Sequence, residues 1–318
     1  MNVLYLTEAD VRSLLTMELA IPAVESAFRK LSLDEATCQP RQRCQTDHVM
    51  LHVLPAAAKT LGALGFKAYT TGKFGAKFHL NLYDPKTGDP TAIIEADYLG
   101  QVRTGAATGV ATKKLSNPDA RIVGILGAGK QSRTQLEAIG KVRTISEARV
   151  FSPTAERREA FAKEMTERCG FAVRAVETAE EAVQEASIVA TATTAREPIL
   201  KGAWLSEGCH VNLAGSNFLS KAEADSELFR RAAIVVADSK DQAKLEAGDF
   251  VAPMKAGIFG WSDVTDLCHI LTGRYPGRTS HDDITIFKSL GLGIQDIAVG
   301  VKLIDLARQK NVGREVVF

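Results

Sequence analysis

The spacing of apolar residues changes character near residue 118. Before that point, residues 7–33 carry apolar side chains at helical intervals and predict two helices, the first opened by Thr7 and Asp10 as a capping arrangement. A helix from Asp97 to about Leu115 closes this part of the chain, so residues 1–117 are predicted to form an α+β domain. Between the helices, extended segments including one hairpin are predicted at 40–54, 64–71, 79–83 and 91–95.

After residue 118, strands and helices alternate. Alternation of this kind is typical of a parallel, doubly wound sheet, so the fold class is α/β, with a Rossmann domain over residues 118–290 and the smaller α+β domain before it. A long amphipathic helix, Gly293 to Lys310, ends the pattern. Apolar runs place the strands of the Rossmann domain at 122–126, 148–152, 171–176, 188–193, 210–213 and 234–237.

A glycine-rich turn stands between the first strand and the first helix of the second domain. The strand at 122–126 runs into Gly127 and Gly129, and Ser132 takes the place of a third glycine. In a dinucleotide fingerprint, the first glycine permits the tight turn and the second lets the backbone approach a pyrophosphate, which the helix N-terminus then binds. This order of strand, turn and helix predicts a dinucleotide site.

The end of the second strand of this domain indicates which dinucleotide is preferred. NAD-binding folds of this kind carry an acidic residue there, which binds the ribose 2′-hydroxyl, whereas this chain has Ser152. Thr154, Arg157 and Arg158 follow, and their side chains suit a 2′-phosphate. The pattern favours NADP(H), with NAD(H) as the alternative, and both arginines are equally well explained as solvated helix surface.

Composition and charge narrow the classes of function. The chain of 318 residues has a net charge of +1, so nothing in it points to nucleic acid or to an anionic membrane. No apolar run approaches the roughly 18 residues of a membrane span, and no signal peptide is visible. Five scattered cysteines without a CxxC pair fit reduced thiols and a cytoplasmic protein. His48 and His52 have zinc-helix spacing in an extended setting, so no metal site is expected.

Three cationic residues of the first domain are candidates for a substrate site. Arg41 and Arg103 carry the planar fork that suits a carboxylate. Lys67 lies in an otherwise apolar segment, where a charge is costly unless it is paired or functional, and such a lysine can act in acid–base chemistry. Taken one at a time, each is better explained by a salt bridge or a snorkelling side chain.

Five short motifs, in order, give the chain a resemblance to a known family. Arg103–Ala106 is similar to an RTGA helix, and Gly127–Gln131 to a GAGxQ cofactor loop. Together the motifs cover almost the whole chain, which resembles the ornithine cyclodeaminase/mu-crystallin family, including its archaeal-type alanine dehydrogenases and ketimine reductases. The other three motifs are Gly208–Asn212, Glu246–Asp249, and Phe287–Gly291 followed by Gln295 and Asp296.

The resemblance implies a homodimer and separate roles for the domains. Residues 291–318 would return to the first domain, which would bind substrate and form the dimer. Arg41 and Arg103 match family residues that hold the substrate carboxylate, and Lys67 matches the active-site lysine beside the amine-bearing carbon. The predicted cofactor-binding residues are Gly127, Ala128, Gly129, Lys130, Gln131, Ser152, Thr154, Arg157, Thr191, Ala192, Thr193, Asn212, Gly215, Ser216 and Lys288.

Two positions depart from the cyclodeaminases of that family. Asn217 stands where they carry an aspartate that acts on the amine, and His52 falls about where they carry a glutamate. Both differences weaken a cyclodeaminase interpretation and leave the general acid open. Lys67 is the first candidate and His52 the second, unless His52 is a hydrogen-bonded structural residue. His79 is a further candidate, and helix capping is sufficient to explain Asp296.

The sequence therefore predicts an oxidoreductase that uses NAD(P)H to reduce a small α-imino acid, a ketimine, or to interconvert an amino acid and its 2-oxo acid. Its candidate catalytic positions are Lys67, His52 and Asn217. One alternative is ornithine cyclodeamination, which converts ornithine to proline and ammonia with no net change in the cofactor. The other is a non-enzymatic ligand binder that resembles mu-crystallin.

Overall fold

The computed structural model describes residues 2–317, and the chain divides into two compact units. The first contains the residues up to Arg103 together with those from Gly291 onward, and the second is Thr104–Leu290. The sequence pattern assigns residues 104–117 to the first domain, but in the structure they belong to the second unit. None of the helices formed by residues 2–317 combines the length and the apolarity needed to cross a membrane.

The first unit begins with the predicted helical segment. Thr7 opens the first helix in a capping box, in which its hydroxyl accepts from Asp10 N at 3.3 Å and its backbone N donates to Asp10 Oδ2 at 2.9 Å. Two helices and a hairpin occur where they were expected. In chain order the elements are β1 (Asn2–Leu6), α1 (Glu8–Leu14), α2 (Met17–Ser32), β2 (Ala36–Cys38), β3 (Gln42–Gln45), β4 (Val49–Ala58), β5 (Ala63–Gly72), β6 (Gly75–Tyr83) and β7 (Pro90–Glu95). Helix α3 (Asp97–Leu115) follows, and its residues from Thr104 onward belong to the second unit.

The second unit confirms the predicted parallel, doubly wound sheet. Its elements are β8 (Ile122–Leu126), α4 (Lys130–Val142), β9 (Glu147–Phe151), α5 (Ala155–Cys169), β10 (Ala172–Ala175), α6 (Ala179–Val183), β11 (Ile188–Thr191), β12 (His210–Leu213), α7 (Ser226–Arg231), β13 (Ala232–Ala237), α8 (Lys240–Glu246), α9 (Gly248–Lys255), β14 (Val264–Asp266), α10 (Leu267–Leu271) and β15 (Ile284–Lys288). The strands pair in parallel in the order β10-β9-β8-β11-β12-β15-β13-β14. The order reverses between β8 and β11, and folds of this class bind ligands at such a switch point.

The chain re-enters the first unit with α11 (Gly293–Lys310) and β16 (Arg314–Val317). Helix α11 has the bounds that its apolar stripe predicts. The sheet of this unit has the order β16-β1-β7-β6-β5-β4-β2, with β3 also paired to β4. Strands β1 and β16 were not predicted from the sequence, because they are short and gain their hydrogen bonds from segments far away in the chain.

Helix α11 packs on one face of this sheet and covers the central strands. Along β4, β5 and β6, side chains alternate between that buried face and the opposite face, and Leu54, Lys67 and Leu80 are paired neighbours on the buried side. A Cβ at Gly300 would lie 2.5 Å from Leu80 Cδ2, so glycine lets the helix approach closely. Lys67 is thus held beneath α11 among leucines.

Candidate active site

Two buried cations share one carboxylate in the first unit. Lys67 Nζ lies 3.1 Å from Asp296 Oδ1, and Arg103 Nε lies 3.0 Å from the same oxygen. Arg103 Nη1 also donates to Gln295 Oε1 at 2.9 Å. Lys67 is 2% exposed, Arg103 7% and Asp296 0%. Because one negative charge balances two positive charges in this cluster, a substrate anion would complete it.

Two glycines make room for these side chains. A Cβ at Gly100 would lie 2.6 Å from Lys67 Nζ, and a Cβ at Gly291 would overlap the guanidinium of Arg103. Gly291 also has a φ of +84°, which favours glycine. Its carbonyl accepts from Arg41 Nη2 at 3.2 Å, so the turn that admits Arg103 also holds Arg41. The structure therefore brings the three candidate cations into one buried region, and their roles toward a substrate stay predictions.

Asp296 is the site residue that the sequence argument undervalues. It lies in the first turn of α11, but helix capping is not sufficient to explain it, because it is fully buried and accepts from Lys67 and Arg103. Its Oδ2 atom has no hydrogen-bond partner among residues 2–317. Buried polar atoms are nearly always satisfied, so this oxygen marks a place for a further donor. The adjacent polar pair Gln295 and Asp296 at the start of an apolar helix was the available sequence signal.

The surroundings of Lys67 bring its protonation equilibrium close to neutral pH. Burial disfavours the ammonium and lowers the pKa of Lys67 to about 8, an effect that Asp296 opposes and Arg103 reinforces. The ring centroids of Phe78 and Tyr69 lie 5.3 and 5.8 Å from Nζ, so aromatic faces border the ammonium. A lysine with this pKa can both give and take a proton at physiological pH, as an acid–base residue must.

His52 is buried on β4, and both of its ring nitrogens are engaged. It stacks on Tyr69 with the ring centroids 4.2 Å apart. Arg43 Nε donates to Nδ1 at 3.2 Å, so the proton of the neutral ring is assigned to Nε2, which donates to Thr71 Oγ1 at 3.0 Å. Burial and the nearby guanidinium of Arg43 lower the pKa of His52 to about 4. This arrangement favours the structural alternative for His52 and leaves Lys67 as the first candidate for the general acid.

His79 projects from the other face of the sheet. It is exposed and pairs with Ala68 and Glu95 in the strand register, whereas Lys67 pairs with Leu80 on the buried face. Because successive side chains of a strand point to opposite faces, His79 does not reach the cluster around Lys67. The suggestion that His79 takes part in the site is wrong for this reason.

The glycine turn of the second unit opens onto a cavity of about 400 Å³. Gly127 has a φ of +106°, and a Cβ there would lie 2.6 Å from the carbonyl oxygen of Ala192, so the turn requires glycine. A Cβ at Gly129 would meet nothing within 4 Å, and Gly129 opens α4 without a side-chain cap. The first N–H groups of α4 are thus not taken by a cap, as a pyrophosphate site requires.

The end of β9 forms one wall of this cavity. Arg158 is buried, donates to the Ser152 carbonyl and pairs with Glu177, so it is engaged within the protein. Thr154 occupies the N-cap position of α5 and makes no side-chain cap hydrogen bond. Arg157 is the one charged residue among the cavity-lining residues of the described chain. The predicted residues that line the cavity are Gly127, Ala128, Gly129, Ser152, Thr154, Arg157, Ala192 and Thr193.

Three predicted cofactor residues have fully buried side chains. Thr191 Oγ1 donates to Glu223 Oε2 at 2.8 Å, and Asn212 Nδ2 donates to Thr112 Oγ1 at 3.2 Å. Lys288 Nζ donates to Asp249 Oδ2 at 2.7 Å. Thr191, Asn212 and Lys288 are each 0% exposed, so in this arrangement their side chains support the strand ends from inside.

The remaining predicted residues of the second unit lie at the same edge of its sheet. Lys130 and Gln131 begin α4, and Gly215 and Ser216 follow β12, with the half-buried Asn217 next to them. In a parallel sheet the carboxyl ends of β8, β11 and β12 meet at one edge, which is where ligands bind in this fold. The direct contacts of these residues with a cofactor stay predictions.

One group of metal-ligand side chains occurs elsewhere in the described part of the second unit. Ligand atoms of Asp266, Cys268 and His269 lie within 4.8 Å of one another. Asp266 already accepts the backbone N–H of Lys240, and burial raises the pKa of Cys268 to about 12. The expectation from the sequence that the chain holds no metal stays a prediction.

Known proteins resemble this chain over its full length. The model of the ornithine cyclodeaminase/mu-crystallin family matches residues 1–311. The alanine dehydrogenase of Archaeoglobus fulgidus is 35% identical over 100% of this chain and 99% of that protein. The structure of Thermococcus litoralis Delta(1)-pyrroline-2-carboxylate reductase in complex with NADH and L-proline has 35% identity and a TM-score of 0.95 over 99% of this chain and 100% of that one. An archaeal alanine dehydrogenase dimer with bound NAD has 33% identity and a TM-score of 0.94 over 100% of both chains.

Proposed function

Because the chain belongs to the ornithine cyclodeaminase/mu-crystallin family, we propose that it is an NAD(P)H-dependent oxidoreductase that reduces a small α-imino acid or interconverts an amino acid and its 2-oxo acid. The observation that carries the proposal is the buried cluster in which Lys67 and Arg103 share one oxygen of Asp296. Its excess positive charge suits a substrate carboxylate, and its lysine suits the substrate nitrogen. The alanine dehydrogenase and the reductase bound to NADH and L-proline support this chemistry.

The two arginines position the substrate. Arg103 is held at Nε by Asp296 and at Nη1 by Gln295, which fixes the plane of its guanidinium and leaves Nη2 for a substrate carboxylate. Arg41 is fixed by the carbonyl of Gly291. A substrate held by two oriented guanidinium groups loses its freedom to rotate before the chemical step, which is how binding lowers the barrier.

Lys67 is the proposed acid–base residue at the substrate nitrogen. The bound cofactor supplies or accepts the hydride. Reduction of a neutral imine also requires a proton, which the ammonium of Lys67 donates, and oxidation of an amine returns it to the neutral lysine. With the pKa of Lys67 lowered to about 8, both forms are populated near neutral pH.

A spectrophotometric screen tests the proposed activity. It combines 2-oxo acids with ammonia or methylamine, and separately cyclic ketimines, with NADH and NADPH in parallel. Oxidation of the cofactor with at least one imino acid is expected. Ornithine-dependent release of ammonia without net cofactor change would establish cyclodeamination instead, which Asn217 disfavours because an amide cannot accept a proton. Tight cofactor-dependent ligand binding with no turnover on the whole panel would establish the non-enzymatic alternative.

The cavity beside the glycine turn is the proposed cofactor site, with a preference for NADP(H). Gly127, Ala128 and Gly129 would hold the pyrophosphate at the start of α4. No acidic residue is among the described residues that line this cavity, and Arg157 and Thr154 stand beside Ser152, where a 2′-phosphate would lie. Since the two similar structures contain NADH and NAD, a preference for NAD(H) is the competing outcome.

Replacing Arg157 with alanine is expected to raise the dissociation constant of NADPH about tenfold, because a guanidinium contact with a phosphate is lost. The constant for NADH, which lacks that phosphate, should stay nearly unchanged. Nucleotide fluorescence titrations of the wild type and the variant measure both constants. Arg121→Ala, at an exposed position that does not line the cavity, is the matched control. Equal weakening of both nucleotides, or a wild type that prefers NADH, would contradict the proposed preference.

We further propose that a second copy of the chain covers the outer face of the first unit's sheet. On the face opposite α11, half-buried apolar residues surround a hollow of about 320 Å³. Contiguous apolar patches of this kind mark protein interfaces. The similar alanine dehydrogenase structure is a dimer, which supports a second copy as the occupant. The apolar residues of this hollow include Pro55, Ala57, Leu64, Phe66 and Tyr83.

Replacing Phe66 with glutamate is expected to convert the dimer into a monomer, because it buries a charge in that face. Size-exclusion chromatography with light scattering gives the mass of each species, against 34.2 kDa for one chain. Phe74→Glu is the matched control, since Phe74 is 96% exposed at the turn between β5 and β6. A wild type that is monomeric, or a Phe66→Glu variant that remains dimeric, would refute this interface.

A further inference from the structure

A fully buried glutamate joins the segments at the carboxyl edge of the second unit's sheet. Glu223 is 0% exposed, and each of its two carboxylate oxygens accepts two hydrogen bonds. Oε1 accepts from Thr193 N at 2.8 Å and from Thr193 Oγ1 at 2.9 Å. Oε2 accepts from Thr191 Oγ1 at 2.8 Å and from Gly215 N at 2.7 Å. One side chain therefore holds both the segment that ends β11 and the segment that follows β12.

The position of Glu223 is itself fixed by a buried ion pair. Its backbone N donates to Asp249 Oδ1 at 2.6 Å, and Asp249 Oδ2 accepts from Lys288 Nζ at 2.7 Å. Lys288 also donates to the carbonyl of Ser216 at 2.8 Å. Both members of the pair are fully or almost fully buried. Two of the sequence motifs, those that contain Asp249 and Lys288, thus meet at the loop after β12.

The segment that Glu223 holds touches the glycine turn. Thr193 and Ala192 line the same cavity as Gly127, and a Cβ at Gly127 would lie 2.6 Å from the Ala192 carbonyl oxygen. A Cβ at Gly215 would overlap both Glu223 Oε1 and the backbone N of Thr193. These atoms are close-packed, so a displacement of the Glu223 side chain also displaces Thr193 and Ala192, which form part of the cavity wall.

We propose that Glu223 is a positioning residue for the cofactor, which sets the backbone at Thr193 and Gly215 while the Lys288–Asp249 pair sets Glu223. The inference rests on the proposed function, because it takes the cavity beside Gly127 as the cofactor site. Glu223 is not a catalytic residue, since it is buried behind the segments that it holds and acts only through them. In this proposal Lys288 acts by holding Asp249 and the Ser216 carbonyl in place, and it needs no direct contact with the cofactor.

A carboxyl group suits the four partners around Glu223, two of which are threonine hydroxyls that can also accept. The other two, the N–H groups of Thr193 and Gly215, belong to the backbone and cannot become acceptors. A glutamine would keep the shape of the side chain but would turn an NH₂ group toward one of these N–H groups. A buried donor that loses its acceptor is costly, so the segment that carries it is expected to move away from Glu223. Because the cofactor cavity depends on that segment, the binding constant of the cofactor is expected to fall roughly tenfold to a hundredfold.

The test measures cofactor binding and backbone protection rather than turnover. Purified Glu223→Gln is expected to bind NADH and NADPH about tenfold or more weakly than the wild type by nucleotide fluorescence. Without nucleotide, the amide hydrogens of Thr193 and Gly215 are expected to exchange faster with solvent in this variant. Thr191→Val removes one fully buried donor and should shift both measurements in the same direction by less. It remains informative if Glu223→Gln does not fold.

Asp225→Ala is the matched control for a purely structural effect. Asp225 lies two residues away, where it caps α7 and accepts from Gly202 N at 2.9 Å and Leu228 N at 3.1 Å. Loss of this cap is expected to lower Tm while nucleotide binding stays at the wild-type level.

Unchanged nucleotide binding and amide exchange in Glu223→Gln and Thr191→Val would overturn the inference. A loss of binding in Asp225→Ala as large as that in Glu223→Gln would also overturn it. A wild type that binds neither nucleotide would overturn the proposed function instead. In that event the amide exchange rates still show whether Glu223 holds Thr193 and Gly215.

Discussion

Replacing Lys67 with methionine is expected to lower kcat by about 10²–10⁴-fold on the best imino acid, which is the usual contribution of a positioned proton donor. Methionine fills the space of the lysine stem without a charge and suits a position that is 2% exposed. Cofactor binding should be nearly unchanged, because the residues that line the cofactor cavity all belong to the second unit. Steady-state kinetics at saturating substrate and cofactor, with a separate nucleotide titration, measure both quantities.

The pH profile separates loss of the proton donor from loss of structure. Imine reduction needs the ammonium of Lys67, so kcat/KM of the wild type is expected to fall as the pH rises through about 8. This fall should be absent from the residual activity of Lys67→Met. Lys163→Met, at an exposed position on α5 in the second unit, controls for the substitution itself. Near-normal turnover of Lys67→Met with cofactor bound would refute the proposed role of Lys67.

Replacing Asp296 with asparagine is expected to move the same fall in imine reduction to lower pH by about one pH unit or more. In the wild type, the charge and the hydrogen bond of Asp296 both raise the pKa of Lys67 against the effect of burial. Without the carboxylate, burial and Arg103 act unopposed, so Lys67 loses its proton at a lower pH. Amine oxidation needs the neutral lysine, and its rise with pH should therefore begin earlier in the variant.

A shift of both profiles to lower pH distinguishes this effect from simple destabilisation, which would lower the rate without moving either profile. Asp296→Asn is expected to lower Tm as well, because it leaves two buried cations without their carboxylate. Asp305→Asn, at an exposed position of the same helix, should leave both pH profiles and Tm unchanged. If the profiles of Asp296→Asn coincide with those of the wild type, Asp296 does not control the proton of Lys67.

Local patterns in the sequence predict most of the elements that carry the candidate site. The strand, glycine turn and helix at 122–142 depend on residues that are neighbours in the chain, and the structure places them as predicted. The bounds of α11 follow from its apolar stripe for the same reason. Local patterns do not predict β1 and β16. These strands form because β1 pairs with β16 and with β7, which are distant in the chain.

The sequence by itself determined the fold class and the family, and it named Arg41, Lys67 and Arg103. Only the tertiary structure shows which residues pair with these three cations, orient them and set the pKa of Lys67. Asp296 stands 229 positions from Lys67 and was assigned to capping, yet it shares an oxygen between Lys67 and Arg103. Glu223 was assigned no role, and Arg158 could not be told from Arg157. The physical reason is that charge pairing, desolvation and hydrogen bonding depend on distances in space, which a linear pattern of residue types does not contain.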